Sequence, residues 1–176
     1  KTAAGWIDAG HRCELVTVIK TWGSSPRPVV ATLAICDDGR VVGSVSGGCI
    51  EDDLIDRVRQ QGITRTTPDI VSYGITADEA HRFGLPCGGT IELAIEPVSA
   101  GSRIAELLTR LGRHELVARH VDLDTGAVTL ATAPAVGPGV VCPERRAFDR
   151  GPLAVVLEAF GDALDREGER APQVII

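Results

Sequence analysis

Three short stretches of this 176-residue chain carry side chains that can do chemistry. In SVSGGCIEDDL, residues 44–54, Ser46 and the pair Gly47-Gly48 lead into Cys49, with an acidic run opening at Glu51. A glycine pair before a helix start curls successive backbone N–H groups into a concave nest, and the helix dipole adds partial positive charge there, which makes the stretch a candidate anion site. Cys49, at the first helical position, sees the same field, and that field lowers a thiol's pKa towards the nucleophilic thiolate. In FGLPCGG, residues 83–89, Cys87 stands beside Gly88-Gly89 in the same relation of thiol to glycine pair. In WGSSPRP, residues 22–28, Ser24 and Ser25 precede Arg27, which two prolines hold in a stiff loop. A guanidinium so placed is preorganised to grip a phosphate or another planar anion with two parallel hydrogen bonds.

Each stretch also has a plain structural reading. A glycine pair at a strand-to-helix corner serves as a tight turn, a single cysteine as buried filler, and a loop arginine as a solvated charge. Two glycine-flanked cysteines, each adjoining a loop, could converge on one pocket, since functional groups gather on loops; their separation allows this and does not require it. His11, His81, His114 and His120 show no ligand spacing, and the five cysteines form no CxxC pair, so no metal site is expected. The chain has no GxSxG, P-loop or GxGxxG, the signatures of acyl, phosphoryl or hydride transfer.

The elements that position these stretches follow from periodicity. A helix tail runs to Ala9 with Trp6 and Ile7 as its apolar face, and Leu15–Thr21 is β-rich. Val30–Ile35 and Arg40–Ser44 flank Asp37-Asp38-Gly39, an Asp-Gly hairpin signal. Ile50, Leu54, Ile55 and Val58 form one helical stripe that Gly62 ends. A strand over Asp69–Tyr73, a short helix opening with the Thr76 and Glu79 capping spacing, and a strand over Thr90–Ile95 follow. Ile104, Leu107, Leu108 and Leu111 mark an amphipathic helix, and Leu116–Val121 with Ala127–Thr132 a second hairpin. Residues 133–143 read as a linker, Leu153–Leu164 as a helix, and the Pro-led APQVII, 171–176, as the first strand of something further. With few aromatics and 44% hydrophobic residues, the expected class is α/β or α+β, a mixed β-sheet with flanking helices and glycine-rich strand-to-helix loops.

Net charge −6 with no Lys/Arg block argues against nucleic acid, and no run reaches the roughly 18 apolar residues of a membrane helix. A soluble, cytoplasmic protein with reduced thiols is expected. The strand-rich composition with an apolar remainder suits a homodimer. The chain begins at Lys1 and contains no methionine, so the natural protein is expected to extend beyond it.

TWGSSPRP, DGRVVGSVSGGCIEDDL and YGITADEAHRFGLPCGGTIELAIEP, in this order and spacing, resemble the amino-terminal domain of the XdhC/CoxI family, accessory proteins of xanthine dehydrogenase and related molybdenum hydroxylases. The resemblance is dense over residues 1 to about 97 and continues loosely to about 132, which sets the expected domain at 1–132, followed by linker and helix at 133–170. It implies a chaperone, not an enzyme with turnover, that binds the molybdenum cofactor (molybdopterin) as cargo, protects it, assists its sulfuration and passes it to a xanthine dehydrogenase-type molybdoenzyme. A cysteine desulfurase is then a partner. It also implies a carboxy-terminal Rossmann-like domain, opened here by residues 171–176, in which a nucleotide would bind. Molybdopterin carries a phosphate and a dithiolene-bound metal, so its pocket needs anion-binding N–H groups and fixed positive charge. On this resemblance Ser24, Ser25, Arg27, Ser46, Gly47, Gly48, Cys49, Glu51, Cys87, Gly88 and Gly89 form the cofactor site, with Cys49 or Cys87 beside the metal or its labile sulfur. Two other readings stand beside it: a thiol-dependent oxidoreductase or sulfur-transfer subunit with Cys49 or Cys87 as catalytic nucleophile, and a dimeric scaffold that docks the molybdoenzyme.

Overall fold

The computed structural model describes residues 1–23, 25–74 and 89–132, and the strand backbone of 153–157. The chain divides into two compact units, Lys1–Val98 and Ser99–Ile176.

The first unit is built on alternation. Strands β1 (Cys13–Trp22), β2 (Thr32–Cys36), β3 (Val41–Gly43), β4 (Asp69–Tyr73) and β5 (Thr90–Pro97) form one sheet in the order β3-β2-β1-β5-β4. Successive side chains of a strand point to opposite faces. Val16 and Val18 of β1, Leu33 and Ile35 of β2 and Ile91, Leu93 and Ile95 of β5 therefore share one face. Helix α2 (Cys49–Gln61) covers that face with Ile50, Leu54 and Val58, and all three are buried. The opposite parity, Cys13, Ala34 and Cys36, meets Trp6 of α1 (Thr2–Asp8) in a smaller apolar cluster. The Tyr73 hydroxyl donates to Asp53 Oδ2 at 2.9 Å, which ties α2 to β4.

The second unit holds α3 (Ile104–Gly112) and a three-stranded sheet in the order β7-β6-β8, from β6 (Val117–Val121), β7 (Val128–Thr132) and β8 (Leu153–Leu157). β8 corrects the expected helix at its start. Leu-Ala-Val-Val-Leu is a short apolar run with two β-branched residues, and it pairs antiparallel along the free edge of β6, Val117 opposite Leu157 and Val121 opposite Leu153. Periodicity alone cannot separate a buried strand from a helix over so few residues.

The class is α+β, with antiparallel sheets among the described residues and helices beside them. β4 has the expected bounds, β1 and β5 run longer than expected, and the Asp37-Asp38-Gly39 turn joins β2 to β3 with Gly39 at φ 87°. The expected helix after Thr76, the 133–143 linker and the 171–176 strand lie outside the described residues. No described helix is long and apolar enough to cross a membrane.

Candidate functional site

The loop between β3 and α2 is organised by Glu51. Its carboxylate accepts from the backbone N–H groups of Val45 (2.9 Å), Ser46 (2.8 Å), Gly47 (2.9 Å) and Gly48 (2.9 Å), and from the hydroxyls of Ser44 (2.8 Å) and Ser46. The nest predicted from Gly47-Gly48 is there, and the anion in it is the chain's own third helical residue. Burial pushes this carboxyl up, but the Ser46 hydroxyl and the N–H groups of Gly47, Ser46 and Gly48 outweigh burial and hold it well below the usual carboxylate range. Glu51 thus has a different task from the ligand contact expected of it: it faces its own loop and shapes it. Ser46 is buried with it, while Gly47, Gly48 and Cys49 remain exposed. Cys49 opens α2 as a free, exposed thiol.

The WGSSPRP loop comes to the same place. Arg27 Nε donates to the Ser44 hydroxyl at 3.1 Å, and that hydroxyl donates on to Glu51, so the arginine is coupled to the nest through one side chain. Ser25 Oγ caps the turn by donating to the Arg27 carbonyl at 2.7 Å. Val30, at the loop's exit, has φ 72°, a left-handed conformation costly for a β-branched residue. Its N–H donates to the Val18 carbonyl at 2.7 Å, a bond that offsets part of this strain.

The third stretch joins through the sheet. Trp22 and Thr90 are register partners of β1 and β5, and the next residues outward, Gly23 and Gly89, lie near each other. Gly23 has φ 72°, and a β-carbon on it would lie 3.2 Å from Gly89 Cα. Beside them Trp22 is 68% exposed. A hollow of about 220 Å³ is lined by Lys20, Trp22, Thr90 and Glu92. Ser24, Cys87 and Gly88 lie outside the described residues. The structure therefore brings Ser25, Arg27, Ser46–Cys49 and Gly89 to one end of the sheet, with Arg27 as an exposed cation and Cys49 as an exposed thiol.

Sequence reasoning missed Ser44, which links Arg27 to Glu51, and it missed the direction in which Glu51 faces. One signal was available. Gly48 and Glu51 have the spacing of a helix N-cap and its third residue, which is how a glutamate turns back on its own N–H groups. Gly48 N–H does donate to Glu51 Oε2.

Residues 6–74 match the family model described as the XdhC and CoxI family. The chain is 30% identical over 115 residues, 65% of its length and 35% of the relative's, to the molybdenum cofactor insertion chaperone PaoD of Escherichia coli. It is 28% identical over 91 residues, 51% of its length and 27% of the relative's, to a probable xanthine dehydrogenase subunit of Bacillus subtilis. The match thus spans about a quarter to a third of the length of these curated relatives. Its fold is similar to that of a xanthine dehydrogenase from Bacillus halodurans in a crystal structure, with TM-score 0.59 and 23% identity over 88% of this chain and 51% of that one.

Proposed function

With residues 6–74 matching the XdhC and CoxI family, we propose that this chain binds the molybdenum cofactor as cargo and assists its insertion into a xanthine dehydrogenase-type molybdoenzyme. The observation that carries the reading is that the 22–28 loop reaches the 44–51 loop through Arg27 and Ser44, and lies near Gly89 through Gly23, at one sheet end. The names of the relatives, one of them a molybdenum cofactor insertion chaperone, support the same reading.

The chain's own groups divide the work. Glu51 satisfies the N–H groups of 45–48, so the cargo's phosphate meets Arg27 at the loop's rim and not the interior of the nest. Arg27 supplies the fixed positive charge and the forked donors a phosphate needs. Cys49, exposed at the start of α2, offers a soft donor towards the cargo's metal or its sulfur ligand. Trp22 presents a flat ring on which a planar heterocycle can stack. Ser24, Cys87 and Gly88 complete the proposed site.

Equilibrium binding of molybdenum cofactor to the purified chain tests this. Arg27→Ala and Cys49→Ala are each expected to raise Kd about tenfold or more, the loss of one charge-assisted or one soft-donor contact. A folded chain that binds no cofactor, or variants that bind it like the wild type, would sink the proposal. One observation favours a second reading, sulfur transfer: Cys49 is a free, exposed thiol. Under that reading Cys49→Ala keeps cofactor binding and loses only the activation of the molybdoenzyme.

A further inference from the structure

The end of the sheet opposite the glycine loops carries a second set of donors that the cofactor reading does not use. We propose that His11, Cys36, Asp37 and Asp38 form a binding site for a divalent transition metal of the zinc class. One nitrogen, one sulfur and two carboxylate ligand atoms of these residues all lie within 4.8 Å of one another. They come from two places far apart in sequence, the link between α1 and β1, and the end of β2 with the turn that follows it. His11 Nδ1 is 2.8 Å from Asp37 Oδ1, and Cys36 Sγ is 3.5 Å from that same oxygen.

The donor set chooses the metal. Imidazole nitrogen and thiolate sulfur suit zinc and its neighbours, whereas calcium and magnesium take oxygen ligands. Tetrahedral bonds of about 2.0–2.3 Å put ligand atoms roughly 3.3–3.8 Å apart, so the observed cluster needs shifts on the order of 1 Å. The shifts fall on partly exposed side chains and must loosen the bonds that Asp37 accepts from the Arg12 N–H at 3.0 Å and Asp38 from Arg40. His11 and Asp37 are 35% and 34% exposed, which also opens a path for the ion. Cys36 is fully buried at the end of β2, cross-strand from the equally buried Cys13, and fixes the floor of the site. For binding, the His11 imidazole takes the tautomer protonated at Nε2, so that Nδ1 bonds the ion in place of its hydrogen bond to Asp37, and the Cys36 thiol releases its proton to solvent as sulfur bonds the ion.

Arg40 is the competitor. Its guanidinium pairs with Asp38 at 2.7 Å and approaches Cys36 Sγ at 3.7 Å, while it lies 5.3 Å from the centroid of the Trp6 ring. It supplies a cation to Asp38. A dication together with Arg40 would balance the thiolate and both aspartates. Histidine spacing gave no hint of this site, because a single histidine meets its partners across a hairpin end.

The test is titration of the chelator-stripped chain with Co²⁺, followed by displacement with Zn²⁺. One equivalent of Co²⁺ is expected to produce thiolate-to-cobalt charge-transfer absorption, which Zn²⁺ abolishes. Cys36→Ser should remove the absorption and Cys49→Ser should leave it. His11→Ala, a change at a partly exposed side chain, should weaken binding at least tenfold, and Arg40→Gln should tighten it. A folded wild type without thiolate–cobalt absorption, or absorption that survives Cys36→Ser or is lost in Cys49→Ser, would overturn the proposal.

Discussion

Glu51 shows how one residue sets the chemistry of a loop. A carboxylate with six donors around it is stable only while charged, and its depressed pKa expresses that stabilisation as a pH dependence. The sign follows from the direction of the shift. In the unfolded chain the carboxyl titrates near its usual value of about 4.3, and in the folded chain well below it. Its contribution is therefore fully present above about pH 4.3 and is lost as pH falls from there towards the folded value. Glu51→Gln keeps the shape but turns an amide N–H₂ towards backbone donors. It should cost about 2–4 kcal/mol at neutral pH, the scale of losing charge-assisted bonds and leaving buried donors unpaired. Urea unfolding at pH 7 and at pH 3 checks this: the gap between wild type and Glu51→Gln must narrow at pH 3, because only the wild-type residue titrates in that window. An equal gap at both pH values would mean that the charge on Glu51 contributes nothing to the loop.

At the scale of elements, the β2–β3 hairpin has one end at the glycine loops and the other at the His11–Asp38 cluster, so its geometry bears on both. Gly43 closes β3 with φ 93°, and a β-carbon there would lie 2.2 Å from the Thr32 carbonyl oxygen, a backbone atom with no freedom to yield. Gly43→Ala should therefore cost about 3 kcal/mol or more, from left-handed strain together with the displaced strand pairing, and should lower the urea midpoint accordingly. A midpoint within error of the wild type would show that β3 can shift freely at no cost. Much of this architecture was legible in the sequence. The stripe Ile50, Leu54 and Val58 marked α2, the bounds of β4 came from its apolar run, and the Asp-Gly step gave the hairpin turn, because each signal is local. What stayed hidden is non-local or short. Arg27 reaches Ser44 across 17 residues and His11 reaches Asp37 across 26, pairings that depend on strand register and not on spacing. β8 was misread because five apolar residues fit a strand or a helix equally, and only the free edge of β6 decides between them.

At the scale of the molecule, the division after Val98 has a consequence for what the proposed cofactor site needs in order to form. The larger core, from Val16 to Ile95, draws all its buried residues from the first unit, and the smaller cluster around Trp6 closes with Val98 as its last member. Each face of the five-stranded sheet is thus packed by a helix of the same unit, α2 over β1, β2 and β5 on one side and α1 over β1 and β2 on the other. A fragment of residues 1–98 should then fold alone, since the apolar area that stabilises it is buried within it. Its urea transition should be a single cooperative one, with far-UV circular dichroism and tryptophan fluorescence coincident and a slope of about 1–3 kcal/mol/M. Trp6, nearly buried against Cys13 and Cys36, reports the α1 face in that experiment. The same fragment holds Arg27, Cys49 and Gly89 at one sheet end and His11 and Cys36 at the other, so it should bind molybdenum cofactor and cobalt as the 176-residue chain does. A cooperative fragment that binds cobalt but no cofactor would move the cargo site, in whole or part, to residues after 98. A fragment that fails to fold would instead show that the first unit draws its stability from the rest of the chain.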